Sequence, residues 1–154
     1  LRKLNDLLQN AKQYWRTFDY ATIEKLTSGD VDVSQQWNGA SMRVREQIPT
    51  MKYAYPKEGY PAWMDNVVVL ANAPNLENAK LFQNFIMDPE NAAMISDFAK
   101  YANGIMGSEK FLDPGFAEAP EIKIPEGAPD PEFVPPCPQE VTQMYDKIWT
   151  NLLK

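Results

Sequence analysis

The sequence predicts an α/β protein, and three observations carry that expectation. Stretches with apolar residues three and four apart alternate with short valine- and aromatic-rich runs. Gly, Pro and Asn punctuate the boundaries between them. The 154 residues are 44% hydrophobic and 23% charged, the balance of a chain that folds around a core.

The elements follow in order. Leu4, Leu7, Leu8, Ala11 and Trp15 share one helical face, so residues 1–15 are predicted helical. A short helix over 20–28 turns Ile23 and Leu26 inward and stops at Gly29. Asp30-Val31-Asp32-Val33 alternates polar and apolar, which predicts a strand over 31–36 ending at Trp37. Asn38-Gly39 then turns the chain into a helix from Ala40 to Gln47, with Pro49 beyond its end. Met51 to Tyr55 reads as a strand bounded by Pro56 and Gly59. A third strand runs over 63–70 through Val67-Val68-Val69-Leu70.

Asn75 caps a helix to about Met87 that carries Leu81, Phe82, Phe85 and Ile86. Asp88-Pro89-Glu90 restarts the helix, with Asp88 as N-cap and Pro89 as first helical residue, and it continues to about Phe98. Residues 113–138 hold eight of the thirteen prolines, which excludes regular helix or central sheet. A final amphipathic helix over 139–153 turns Val141, Met144, Tyr145, Ile148, Trp149 and Leu152 inward. Three strands make a thin sheet for so many apolar positions. The expectation is that more of the sheet lies in sequence outside this chain, which begins at Leu1 and reads as truncated or processed.

Composition excludes several function classes. The net charge of −6 and pI near 4.7 oppose nucleic-acid binding, which needs a basic footprint, and suit a cationic ligand. With no histidine, Ser-His-Asp triads and most zinc sites fall away. The lone Cys137 has no partner for a disulfide and no His for thiol catalysis. No apolar run approaches the roughly eighteen residues that a membrane helix needs.

The chemistry-bearing stretch is Tyr55-Pro56-Lys57-Glu58-Gly59-Tyr60-Pro61-Ala62-Trp63-Met64-Asp65. On a strand, residues i and i+2 share a face, so Trp63 and Asp65 are expected side by side. An aromatic face beside a carboxylate captures an organic cation: the ring quadrupole attracts the ammonium and the carboxylate neutralises it. The residues alone leave each side chain open to a bland reading. Trp63 suits a core position under the turn, Asp65 suits satisfaction by backbone donors, Trp37 is balanced between the core and a ligand-facing place, and Tyr101 suits an ordinary helix end. Tyr53, Tyr55 and Tyr60 read as packing or surface residues, and Arg43, Arg45 and Glu46 as a solvated helix face.

The order of motifs resembles the periplasmic polyamine-binding proteins, the spermidine/putrescine-binding components of ABC importers. The likeness runs from Gly29-Asp30-Val31 and Trp37-Asn38-Gly39 through Pro56-Lys57-Glu58-Gly59 and Trp63-Met64-Asp65. It continues into the helix pair Ala79–Met87 and Asp88-Pro89-Glu90 and the aromatic Tyr101, covering about residues 20–105. The resemblance implies the C-terminal part of a two-lobed α/β solute-binding protein with three-layer α/β/α lobes. It implies a second-lobe portion over 1–62, a crossing to the first lobe over 63–108, and a Pro-rich connection and helix returning to the second lobe over 109–154.

It also implies that Trp37, Trp63, Asp65 and Tyr101 line an amine pocket, with Asp65 as counter-ion. The acid that some putrescine-binding members carry three residues after the first Trp is Ala40 here. The expected function is capture of a polyamine in the periplasm and its delivery to a membrane permease, with no bond broken and no cofactor or metal. The N-terminal half of the same protein, in another chain or missing, is an expected partner. The alternatives are a receptor for an amino acid or quaternary amine, or a fragment that does not bind. A carboxylate-based hydrolase would need two carboxylates across a scissile bond, and Asp65 has no second one placed near it by the sequence.

Overall fold

A computed structural model describes residues 2–12 and 22–152. The expected first helix beyond residue 12, with Trp15, lies outside the described residues, as do residues 20 and 21 of the second and residue 153 of the last. The described elements are α1 (Arg2–Ala11), α2 (Thr22–Ser28), α3 (Asn38–Gln47), β1 (Pro61–Ala62), α4 (Leu76–Ile86), α5 (Pro89–Ala99), a 3-10 turn (Ser108–Lys110), β2 (Glu132–Phe133) and α6 (Gln139–Leu152). The chain forms two compact units, Leu1–Ser34 with Phe133–Lys154, and Gln35–Glu132.

In the first unit, α1 and α6 pack through apolar pairs spaced i,i+4. Leu8, flanked by Leu4, meets Ile148 and Leu152. Two helices cover only one stripe of each other, so Met144, Tyr145 and Trp149 of α6 stay exposed where the periodicity expected them inward. α2 buries Leu26 and ends at Gly29, whose φ of 78° lets Asp30 donate its N–H to the Lys25 carbonyl at 2.9 Å.

The second unit carries the site candidates. Its core joins the inner face of α3 to the Pro-rich run, with Met42, Phe116 and Ala119 buried and Leu112 and Ile122 packed beside them. At the start of α5, Asp88 accepts a hydrogen bond from the Glu90 N–H at 3.1 Å and Pro89 takes the first turn. The helix ends at Lys100, in the left-handed region with φ 64°. Beyond it Asn103 ties the loop back: its Nδ2 donates to Ser96 Oγ at 2.8 Å, and its Oδ1 accepts from Ser108 Oγ and the Ile105 N–H, both at 2.9 Å. Tyr101 is held between these two anchors.

The expected strands over 31–36, 51–55 and 63–70 are not formed among the described residues. The sheet is two residues on each side, β1 against β2, with the Glu132 N–H donating to the Tyr60 carbonyl at 3.0 Å. A strand is defined by the neighbour that takes its N–H and C=O groups, and alternation cannot supply that neighbour. The 63–70 run is correspondingly uncovered, with Val68 74% exposed, and α4 buries no residue at all. Asn75 stands at the N-terminus of α4 without a capping hydrogen bond from its side chain.

The run from Met51 to Tyr60 is anchored by tyrosines instead of a ladder. Tyr53 and Tyr55 meet edge-to-face at 5.2 Å, and Tyr55 and Tyr60 at 4.9 Å. Tyr55 also donates its hydroxyl to the backbone carbonyl of Glu121 at 3.4 Å. Burial raises the Tyr53 phenol and pushes Tyr55 from 10.0 up to about 12, with Tyr53, Tyr60 and Glu121 adding smaller contributions to the latter. A phenol raised in the fold keeps its proton where the unfolded chain has lost it. Its stabilising contribution is therefore whole below pH 10.0 and disappears as pH rises through about 12. Titration of phenolate absorbance on folded protein should show a late step, well above the ordinary phenol value of 10.0, that Tyr55→Phe removes together with part of the loss of stability over the same interval. The absence of such a late step would contradict the packing of Tyr55 between Tyr53 and Tyr60.

Candidate functional site: an aromatic cluster on the first turn of helix α3

Trp37 occupies the N-cap position of α3, with φ −63° and ψ 142° and no capping bond from its indole. Its carbonyl starts the helix by accepting from the Ser41 N–H at 2.9 Å and Ser41 Oγ at 3.1 Å. The Asn-Gly pair expected to form a turn is the first turn of this helix. That brings Gly39 onto the helix flank facing the loop after α5.

Trp63 packs edge-to-face on Trp37, with ring centroids 4.5 Å apart and planes at 66°. It makes a second edge contact with Tyr101 at 6.0 Å and 73°. Both indoles keep an open surface, Trp37 at 46% and Trp63 at 44% exposure. Three of the four residues expected to line a pocket thus form one continuous cluster. The fourth, Asp65, lies two residues past Trp63, exposed, with no ion-pair partner among the described residues. No ladder holds residues 63–70, so the same-face relation expected of Trp63 and Asp65 has no sheet to enforce it.

Two residues that the sequence reading left outside the site set the position of Tyr101. Gly39 is one: a Cβ there would lie 2.7 Å from two carbons of the Tyr101 ring, so the ring lies flush on the helix backbone. Arg43 is the other. Its guanidinium carbon stands 5.9 Å from the Tyr101 ring centroid, and its Nη1 donates to the Ala99 carbonyl. Gly39 and Arg43 are four residues apart on one helix, a spacing that puts both on one face. That spacing was the available signal.

The expected solvated face of α3 is a correction. Arg43 covers Tyr101, Arg45 is bound through two hydrogen bonds to Glu121, and Glu46 pairs with Lys100 Nζ at 2.9 Å. Charged residues in sequence reveal no partner that lies over fifty positions away. The Glu121 pairing raises the Arg45 guanidinium further above its ordinary value, against a smaller opposing effect of burial.

With that geometry described, the comparisons with known proteins give the family of the chain. The sequence profile of the family described as bacterial extracellular solute-binding protein matches residues 1–124, and the chain belongs to that family. Among curated relatives, a spermidine/putrescine-binding periplasmic protein of Salmonella typhimurium is 32% identical over 89 residues, covering 58% of this chain and 26% of the relative. A putrescine/agmatine-binding protein of Pseudomonas aeruginosa is 24% identical over 159 residues, covering 98% and 43%. A putrescine-binding periplasmic protein of Escherichia coli is 31% identical over 119 residues, covering 73% and 32%. The chain therefore spans between about a quarter and under half of the length of these relatives. No solved structure gives a significant match.

Gly39→Ala tests the packing of the cluster. Replacing a helical Gly by Ala ordinarily gains about 0.5–1 kcal/mol. Here the new methyl meets the Tyr101 ring, and overpacking costs about 1–3 kcal/mol. Denaturation should show a net loss in the wild-type background and a net gain when Tyr101 is already Ala. A stabilising Gly39→Ala with Tyr101 intact would mean that the ring does not lie on the helix.

Proposed function

We propose that the protein carrying this chain is the substrate-binding component of an importer, capturing a small organic cation of the polyamine class. The observation that carries the reading is the Trp37–Trp63–Tyr101 cluster, three rings in contact with two indole surfaces open. Aromatic faces hold an ammonium and its methylene chain by cation–π attraction and apolar contact. Asp65 supplies the counter-charge from a neighbouring, exposed position. The names of the relatives, which specify spermidine, putrescine and agmatine binding, support the same ligand class. Release to a membrane permease, a periplasmic location and action without chemical conversion follow from that role.

The reading includes the lobe division expected from the sequence: 1–62 and 109–154 in a second lobe, and 63–108 crossing to a first. Its support is the apolar surface of the middle segment. Val67, Val68, Leu70, Leu81, Phe82 and Phe85 are all exposed, and Phe98 is 87% exposed. Soluble proteins seldom leave so many neighbouring apolar side chains uncovered. A first lobe contributed by further sequence, the N-terminal half of the parent protein, would cover them. Binding then works by closure: ligand favours the closed state and shifts the population towards it.

A second reading, a receptor for a solute carrying its own carboxylate, draws on Arg43 beside Tyr101. Calorimetry of the intact protein with putrescine, spermidine, γ-aminobutyrate and a quaternary amine separates the two. The diamines should bind, and Trp63→Ala should weaken them by up to about thirtyfold, the equivalent of a desolvated cation–π contact near 2 kcal/mol. Asp65→Asn should weaken them by about tenfold or more. Full affinity in Asp65→Asn favours the carboxylate-bearing solute, and no binding of any amine ends the polyamine reading.

A further inference from the structure

Nothing in the Pro-rich run distinguishes Glu121 by sequence, yet its side chain is 0% exposed. A buried carboxylate is costly unless it is paired and hydrogen-bonded. Here Arg45 Nε donates to Oε1 at 2.7 Å and Nη2 to Oε2 at 2.8 Å, the two-pronged geometry of a guanidinium on a carboxylate. The backbone carbonyl of Glu121 is used as well. It accepts from Asn38 Nδ2 at 3.1 Å and from the Tyr55 hydroxyl at 3.4 Å.

One residue therefore grips α3 at two places about two turns apart, Asn38 and Arg45. It also grips the segment that leads through β1 to Trp63. Asn38 immediately follows Trp37, whose own side chain gives the helix start no cap. The two indoles in contact at 4.5 Å are thus carried on segments that share Glu121 as their common anchor.

We infer that Glu121 is a positioning residue: through Asn38 and Tyr55 it sets the relation of Trp37 to Trp63, and thereby ligand affinity, without touching ligand. Its effect on affinity rests on the proposed polyamine role; its effect on the indole pair does not. The bidentate geometry is what a positioning role needs. A buried ion pair can often be replaced by apolar side chains at little cost in stability, whereas apolar contacts do not orient a backbone carbonyl.

The test uses the intact protein and two variants, Glu121→Gln and the paired Glu121→Leu with Arg45→Met. Three quantities are read: the denaturation midpoint, putrescine affinity by calorimetry, and the exciton signal of the Trp37–Trp63 pair in circular dichroism, assigned with Trp37→Phe. In Glu121→Gln, affinity should fall about tenfold and the exciton signal should shrink. In the paired variant stability should return towards wild type while affinity and exciton signal do not. If Glu121→Gln fails to fold, the paired variant alone decides. Wild-type affinity together with an unchanged exciton signal in the paired variant would overturn the inference and leave Glu121 a stability element only. Should the wild-type protein bind no amine, the polyamine reading fails. The exciton signal then still decides: an altered signal in the paired variant supports the positioning role, and an unaltered one overturns it.

Discussion

The carboxylate of Glu121 and the guanidinium of Arg45 are the contact on which the second unit is organised. It joins the segment that carries Leu112, Phe116, Ala119 and Ile122 to α3, beside the apolar contacts these residues make with Met42. The segment shapes itself through its own turns, the Ala119 carbonyl accepting from the Ile122 and Lys123 N–H groups at 2.9 and 2.8 Å, but turns alone do not dock it on a helix. The bidentate pair docks it there, at a position where the Glu121 side chain is wholly buried and breaking either half is costly. The carbonyl of the same residue then spreads that order to Asn38 and Tyr55.

A second constraint is steric. Tyr101 comes from the loop after α5, Trp37 from the start of α3 and Trp63 from the segment after β1. They meet because α3 offers a position with no side chain, Gly39, and a long cation one turn on, Arg43. The ring of Tyr101 lies on the first and under the second. The loop that bears it is tied by Asn103 to both α5 and the 3-10 turn, so the ring is fixed from behind.

How much of this was legible in the sequence depended on the range of the forces involved. Local signals served well. The Asp88-Pro89 restart, the Gly29 stop and the periodicity of α4 and α6 are written in residues a few positions apart, and the described ends they mark fall within about one residue of expectation. Trp37, Trp63 and Tyr101 were nominated by a family pattern, and the fold brings those three rings into contact. Strands were not legible, since Val67-Val68-Val69-Leu70 encodes a willingness to pair but no partner. Glu121 was invisible for the same reason. Its partners Arg45 and Asn38 lie 76 and 83 positions away, and a charged helix face reads as solvated unless the acid that meets it is known.

The same division by range explains the character of the site. Each edge-to-face contact takes up one ring face, yet Trp37 and Trp63 both stay nearly half exposed, and on the proposed reading that open indole surface meets the cation. Such faces attract any organic ammonium of suitable width, because cation–π attraction is tolerant of what lies beyond the charge. Discrimination between a diamine and a longer polyamine has to come from carboxylates at fixed separations, since each must match an ammonium and its hydrogen bonds to offset desolvation. Of the acids near the cluster, Glu121 is committed to Arg45 and Asp65 stands on a run that no sheet immobilises. On the proposed reading, the rings supply ligand class, and ligand length is set when the surface that covers residues 67–70 also brings Asp65 to a fixed place opposite a second acid. Selectivity is then a property of the closed state, while the aromatic wall is already assembled in this chain.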